Sequence, residues 1–162
     1  MLKIISGGQT GVDRAALDVA REKHIPYGGW CPKGGWAEDL PDPPGLLAVY
    51  EALRATPERA PAQRSEWNVR DSNALMMLVD GSGLTVSKGT EGALAYAEKL
   101  GKPHIVIDLD ASDAVGKARA WLAGKQTPLA LCIGGPRESE APGIYAKAKI
   151  FLDAVLDGET AA

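Results

Sequence analysis

Four short runs of aliphatic residues alternate along the chain with longer segments in which apolar residues recur every three or four positions. The aliphatic runs predict strands buried on both faces, at residues 2–6, 74–79, 104–108 and 129–133. The periodic segments predict helices at residues 12–23, 91–100, 112–123 and 142–156. Strands that alternate with helices are typical of a parallel sheet covered on both sides. We therefore predict an α/β fold of three layers, αβα, with a mainly parallel sheet.

The stretch 26–64 contains most of the prolines and resists regular assignment. A structureless segment of this length is unusual inside a compact domain, so we expect short strands or turns at 27–30 and a surface excursion after Lys33. A helix is predicted from 64 to 70. The polar stretch 67–73 precedes a buried strand, and we expect it to tie neighbouring loops together by hydrogen bonds.

Length and composition limit the kinds of protein that the chain can be. With 162 residues, 45% of them apolar, it suits one compact domain, predicted at 1–157, followed by a short frayed tail at 158–162. The net charge of −3 and the pI near 5.4 give no general basic field. Nucleic acid is therefore not expected as a partner, and any phosphate site must be local.

The two cysteines, Cys31 and Cys132, are about a hundred residues apart and have no further cysteine or histidine at metal-ligand spacing. This argues against a zinc site and against a disulfide framework. A nucleophilic Cys31 would need a base, and neither histidine can be placed beside it. No run reaches the roughly 18 apolar residues of a membrane span, so we expect a cytoplasmic protein without a membrane partner.

The first predicted strand leads directly into a glycine-rich loop and then into a helix. Such a junction leaves backbone N–H groups unpaired at the positive end of the helix dipole, where they bind anions. We therefore expect a ligand at residues 6–14. Arg14 can pair with a phosphate, and Asp13 can accept a hydrogen bond from a sugar or a base. The alternative is structural: Thr10 or Asp13 caps the helix, and Arg14 forms a surface ion pair.

This loop matches neither of the two common phosphate-binding fingerprints. A Walker A loop has lysine followed by serine or threonine after its last glycine, whereas Gly11 is followed by Val12 and Asp13. In the dinucleotide-binding pattern Ser6 stands where the first glycine is required, and no acidic residue follows the next apolar run. The loop therefore disfavours ordinary P-loop enzymes and nicotinamide-dependent dehydrogenases.

Two further junctions between a strand and a helix are rich in glycine, at 81–92 and 134–140. The first can cradle an anion with help from Lys88 and Thr90, or it is a flexible connection in which Thr90 is only the N-cap. The second can bind through Arg137, or this arginine forms a surface ion pair with a neighbouring glutamate. Because parallel strands end at one edge of the sheet, we expect all three loops to meet in one site.

Several separate segments carry a resemblance to a known family. They read IISGGQTGVDRAALD, GGWCPKG, AED, SEWNVRDS and GGPRESEAPGIY, at residues 4–18, 28–34, 37–39, 65–72 and 134–145. Over essentially its whole length the chain resembles the putative molybdenum carrier family. That family is a circularly permuted branch of the YpsA-like, or SLOG, Rossmannoid superfamily.

The resemblance implies a Rossmann-like sheet and a site at its carboxyl edge for a phosphorylated, nucleotide-like ligand. That ligand would be a nucleotide or the molybdenum cofactor (molybdopterin), without a direct protein metal site. Carried onto this chain, the implied ligand-binding residues are Gly7, Gly8, Gln9, Thr10, Gly11, Asp13, Arg14, Gly89, Thr90, Gly135, Pro136, Arg137, Glu138 and Ser139. The chain departs from the family at Lys88, where a glycine is expected before Gly89 and Thr90.

Two functions remain open: a carrier that holds its ligand without turnover, and a nucleoside-monophosphate hydrolase. Hydrolases of the superfamily, the lysine-decarboxylase-like relatives, resemble PGGxGTxxE at the central loop. Here Ala93 stands at the position of the final glutamate, and Glu91 lies on another helix face, so we favour the carrier. Besides a small phosphorylated ligand, we expect a second copy of the chain as partner, in a homodimer or homotetramer formed through helix faces that include Leu94 and Tyr96.

Overall fold

A computed structural model of the chain describes residues 1–159. The strands are β1 (Leu2–Ile5), β2 (Tyr27–Cys31), β3 (Leu53–Ala55), β4 (Ala74–Val79), β5 (His104–Asp108) and β6 (Leu129–Gly134). The helices are α1 (Val12–Glu22), α2 (Leu46–Val49), α3 (Pro61–Arg70), α4 (Lys88–Lys99), α5 (Ala114–Ala123) and α6 (Ile144–Val155). Every predicted strand and helix is present, with ends shifted by a few residues. Of the predicted frayed tail, residues 160–162 lie outside the described residues.

All six strands form one parallel sheet in the order β3-β2-β1-β6-β4-β5. The chain builds outward from β1 to β3, crosses to β4 and β5 on the other side, and returns to place β6 in the middle. In register, Ile4 of β1 pairs with Leu131 of β6, and Met76 of β4 pairs with Ile133 of β6. The loops after β1, β6 and β4 therefore leave the sheet side by side, where the order of strands reverses.

Helices cover both faces of the sheet. Strand β4 shows this best, because all six of its residues are buried and successive side chains point to opposite faces. Met76 and Leu78 pack in the cluster formed with α1, α5 and α6, whereas Leu75 and Met77 pack in the cluster formed with α3 and α4. The predicted three-layer, Rossmann-like α/β fold is thereby confirmed. Within residues 1–159, no helix combines the length and apolar character needed to cross a membrane.

The segment after Lys33 is more than the predicted surface excursion. It contains the short elements α2 and β3, and three of its side chains, Leu46, Tyr50 and Leu53, are buried against Leu17 of α1 in a third apolar cluster. Burial of these residues fixes the segment beside the carboxyl edge of the sheet. It can therefore hold the loop that follows β1.

Candidate functional site

A cavity of about 710 Å³ lies at the carboxyl edge of the sheet, where β1, β6 and β4 end. Its walls come from all three glycine-rich loops, from one side of α3 and from the first turns of α4. We call it the main cavity. Its volume falls within the range of small-molecule sites, and its place at the reversal of strand order is where open α/β sheets bind ligands. The three loops therefore line one cavity, as the parallel order of the strands predicts.

A buried ion pair between α1 and α3 forms part of the cavity wall. Arg64 Nη1 lies 3.1 Å from Asp13 Oδ2, and the two side chains are 9% and 12% exposed. Glycines make room for this pair: a Cβ atom at Gly7 would overlap Arg64 Nη1, and one at Gly134 would lie 3.3 Å from Asp13 Oδ1. The ends of β1 and β6 thus pack directly against the ion pair.

The charge of this pair is balanced. Burial raises the pKa of the Asp13 carboxyl, while the charge of Arg64 and its hydrogen bond act in the opposite direction. Because an ionised carboxylate here stands beside a guanidinium, the pair adds no net charge to the cavity. We call this part of the wall, with Gln9, the floor.

Two buried donors of the floor have no hydrogen-bond partner among residues 1–159: Gln9 Nε2 and Arg64 Nε. The orientation of the Gln9 amide follows from its oxygen, which accepts hydrogen bonds from the backbone N–H groups of Thr10 and Glu38, both at 3.0 Å. An unsatisfied buried donor costs about 1–3 kcal/mol. Since both side chains line the cavity, a ligand or water that enters it can satisfy these donors.

The N-terminus of α4 forms another part of the cavity wall. Ser87 is its N-cap: the Ser87 Oγ accepts hydrogen bonds from the backbone N–H of Thr90, at 3.2 Å, and from the Thr90 hydroxyl, at 2.9 Å. The alternative in which Thr90 is the N-cap is therefore wrong. Lys88, Gly89 and Thr90 line the cavity at the positive end of this helix.

Arg137 also lines the main cavity, and its guanidinium lies 5.4 Å from the ring centre of Trp36. The surface ion pair considered for it is absent. Glu140 instead accepts a hydrogen bond from the backbone N–H of Arg137, and Glu138 accepts from two backbone N–H groups at the start of α6. Neither Arg137 nor Lys88 takes part in any ion pair between residues described by the structure.

Arg14 has a different environment. Its guanidinium makes two hydrogen bonds to Asp39, at 2.9 and 2.8 Å, and its Nε donates to the carbonyl of Gly8 at 3.0 Å. Arg14 thus forms an ion pair, as in the structural alternative to phosphate binding that the sequence left open. The neighbouring Glu38 accepts hydrogen bonds from the Thr10 hydroxyl and from the backbone N–H and hydroxyl of Ser139. Residues 36–40, which we call the strap, thereby join the first loop to the last.

The residues implied by the resemblance divide into three groups. Seven line the main cavity: Gly7, Gln9, Asp13, Gly89, Thr90, Gly135 and Arg137. Four line a second, more open cavity of about 450 Å³ on the other side of the first loop: Thr10, Gly11, Arg14 and Glu138. Gly8, Pro136 and Ser139 line neither of these two cavities.

Sequence reasoning missed Arg64 and Ser87. Ser87 had a usable signal, because serine three residues before Thr90 fits an N-cap. Arg64 had none, since its partner Asp13 is 51 positions away. The polar stretch 67–73 is expected to tie neighbouring loops together by hydrogen bonds, and Asn68 confirms this. Its side-chain oxygen accepts a hydrogen bond from the backbone N–H of Trp30 at 2.7 Å, and its side-chain nitrogen donates to the Trp30 carbonyl at 2.9 Å.

The fold and the cavity define a Rossmann-like protein with a ligand-sized site at the switch point of its sheet. The model of the circularly permuted YpsA SLOG family matches residues 4–156, and the chain belongs to that family. It is similar to a crystal structure named "Putative molybdenum carrier protein" from Syntrophus aciditrophicus SB, with 39% identity over 95% of this chain and 94% of that chain and a TM-score of 0.84. No curated protein matches the chain.

Proposed function

We propose that this protein binds a small phosphorylated, nucleotide-like ligand in the main cavity and holds it without turnover, as a binding or carrier protein. The observation that carries the proposal is the presence of two cations without ion-pair partners within residues 1–159, Lys88 and Arg137, on a cavity that also contains the N-terminus of α4. Backbone N–H groups at a helix N-terminus and a nearby guanidinium are the usual partners of a phosphate. The phosphate of the ligand therefore belongs at this side of the cavity.

The site fits an organic phosphate better than a bare metal ion. Among residues 1–159, no three histidine, cysteine or acidic side chains form a group able to hold a metal. Cys132 lines the cavity, but burial raises the pKa of its thiol, and a thiol ligates metals only after it loses its proton. The molybdenum cofactor, a candidate because of the name of the similar structure, would be held by its phosphate through Lys88, Gly89 and Arg137.

The acidic groups of the cavity favour binding over hydrolysis. Ala93, which stands where the hydrolase relatives have glutamate, is buried and lines the cavity. Asp13 is paired with Arg64, and the Glu140 carboxylate accepts a hydrogen bond from the Arg137 backbone. Neither of these two carboxylates is therefore a free acid or base. The third acidic residue of the lining, Glu66, is an exposed residue of α3 and does not belong to the loops that carry Lys88 and Arg137.

Assembly as a homodimer or homotetramer stays a prediction. The two residues on which it was based do not form an exposed apolar face, because Leu94 is buried and Tyr96 is half-buried in the cluster beneath α4. Light scattering at micromolar concentration tests this prediction, and a monomer would contradict it.

Thermal unfolding against nucleoside mono-, di- and triphosphates and a molybdopterin ligand tests the proposed function. A ligand at a hundred times its Kd stabilises by about 2.7 kcal/mol, or roughly 5–10 °C in Tm for a domain of this size. Lys88→Ala and Arg137→Ala should each weaken binding by about 1.5–3 kcal/mol, the value of a charge-assisted hydrogen bond. The control is Lys99→Ala, at the far end of the same helix.

Three outcomes contradict parts of the proposal. If no ligand raises Tm, the main cavity is not a phosphate site. If both variants bind as tightly as the native chain, the phosphate lies elsewhere. Release of free base during incubation with a nucleoside monophosphate would make the protein a hydrolase instead of a carrier.

A further inference from the structure

The floor of the main cavity offers a ligand both a hydrogen-bond acceptor and donors. The acceptor is the carboxylate of Asp13, whose side chain is 12% exposed. The donors are the buried Nε2 of Gln9 and Nε of Arg64, which have no partner within residues 1–159. All three residues line the cavity. A ligand group that satisfies all three must accept one hydrogen bond from each of the two donors and donate at least one to the Asp13 carboxylate.

This floor is poorly suited to a phosphate. A phosphate has only acceptor oxygens and a negative charge, so it repels the Asp13 carboxylate and gives it no hydrogen to accept. Arg64 is already paired with Asp13 at 3.1 Å, which leaves the floor without net charge. A neutral, polar part of the ligand therefore fits the floor, while the phosphate goes to Lys88 and Arg137, the cations of the wall that have no ion-pair partner within residues 1–159.

Purine and pterin rings differ in how well they match these three groups. The 2-amino-4-oxopyrimidine edge, shared by guanine and pterin, has a carbonyl oxygen with two lone pairs next to a ring N–H and an amino group. The oxygen can accept from both Gln9 and Arg64, and the two N–H groups can donate to Asp13. Adenine has an exocyclic amino group, itself a donor, in place of that oxygen, and an acceptor nitrogen in place of the ring N–H. It would therefore leave both buried donors unsatisfied and offer the Asp13 carboxylate no hydrogen from the ring.

The walls next to the floor suit a flat ring. Val69 from α3, Met77 from β4 and Ala93 from α4 line the cavity with apolar surface, together with Ile133 of β6. Ligand sites commonly combine such apolar walls with a few polar groups that fix orientation. A planar ring can lie against these side chains while its polar edge meets the floor.

We propose that Asp13, Gln9 and Arg64 recognise the 2-amino-4-oxopyrimidine edge of a guanine or pterin ring in the main cavity. The proposal rests on the proposed function, because it assumes that the phosphorylated ligand occupies this cavity. It adds the chemical class of the ring and its direction, with the ring at the floor and the phosphate at α4.

Calorimetric titration of the full chain with GMP, IMP, AMP and a 6-substituted pterin monophosphate tests the proposal. IMP is the matched control because it differs from GMP only by the missing 2-amino group. We expect GMP to bind at least tenfold more tightly than IMP and about a hundredfold more tightly than AMP, since a site built for a polar group rejects ligands that lack it. Tight binding of the pterin compound alone would support the same edge and identify pterin as its source.

Asp13→Asn should reduce the preference for GMP over IMP to about one, because the amide no longer provides two acceptor oxygens for the ring N–H and amino groups. Asp153→Asn is the control, since Asp153 is an exposed partner of Lys23 outside the main cavity. If Asp13→Asn does not fold, the ligand series on the native chain decides by itself.

The outcomes separate this proposal from the proposed function. AMP that binds as tightly as GMP overturns the recognition of the ring edge but leaves a phosphate site standing. An unchanged preference for GMP over IMP in folded Asp13→Asn also overturns it. If none of the four ligands binds while another phosphorylated ligand of the thermal-unfolding series raises Tm, the ring recognition is wrong and the proposed function stands. If no ligand of either series binds, both are wrong.

Discussion

Replacing Arg64 with methionine tests the buried ion pair at the floor of the main cavity. Arg64 Nη1 lies 3.1 Å from Asp13 Oδ2, and both side chains are nearly buried. Removing one partner of such a pair costs about 3–5 kcal/mol, because the other charge stays buried without compensation. For a domain of this size 1 kcal/mol corresponds to roughly 2–4 °C, so we expect Tm to fall by about 6–20 °C.

The loss of stability in Arg64→Met should also depend on pH, and the pKa of Asp13 determines whether the loss grows or shrinks as the pH rises. Burial raises the pKa of this carboxyl above its ordinary value of 3.8, and removal of Arg64 raises the pKa further. A carboxyl whose pKa is raised by folding favours the folded state below its ordinary pKa. That stability is lost as the pH rises through the pKa of the folded state. Arg64→Met should therefore destabilise the protein less at pH 5 than at pH 8.

Urea unfolding at pH 5 and pH 8 measures both effects. Arg59→Met is the matched control, because Arg59 is exposed and its loss should change stability by less than about 0.5 kcal/mol. The double variant Asp13→Asn with Arg64→Met should cost less than the sum of the two single variants, since it leaves no buried charge. A loss below about 1 kcal/mol at both pH values would refute the reasoning.

Three further substitutions test other parts of the structure. Gly7→Ala should cost about 1–3 kcal/mol in urea unfolding, because its Cβ would overlap Arg64 Nη1; native stability would contradict this. Gly92→Ala, an open position of α4, should instead stabilise by about 0.5–1 kcal/mol, and a loss would show an unforeseen clash. The hydrogen bond from Arg14 lowers the pKa of Asp39, so this ion pair stabilises the fold fully above the ordinary pKa of 3.8 and loses its effect as the pH falls through the lowered pKa of the folded state. Asp39→Asn should therefore lower Tm by a few degrees at most at pH 7 and by less at pH 3, and an equal loss at both would contradict the ion pair.

The sheet and its helices could be predicted because their signals are local. The run from Ala74 to Val79 is apolar at every position, as expected for a strand buried on both faces, and it forms β4 with the predicted bounds. Gly101, at a positive φ of 66°, follows the end of α4 and stops the helix where the sequence indicated. Parallel order then brings the three glycine-rich loops to one edge without any knowledge of distant contacts.

The remaining features depend on contacts between distant parts of the chain. Leu46, Tyr50 and Leu53 have the i, i+4, i+7 spacing that is typical of one helix, whereas the structure divides them between the short helix α2, the turn after it and the strand β3. They are buried by packing against distant residues, among them Leu17 of α1 and Cys31 of β2. The short elements α2 and β3 therefore could not be predicted. Arg64 lies in a helix of mixed polarity, and no neighbour in sequence indicates that its charge is buried against Asp13.

The first glycine-rich loop carries the most visible binding signal in the sequence, yet its charged side chains are largely paired within the protein. Arg14 is paired with Asp39, and Asp13 with Arg64. A phosphate that bound through Arg14 would have to compete with Asp39 for the guanidinium, whereas Lys88 and Arg137 take part in no ion pair with any described residue. The charge of a ligand is stabilised most where the charges of the protein are least compensated. Gly7 of the first loop therefore serves the packing of the Asp13 ion pair, and the loop before α4 is the better place for the phosphate.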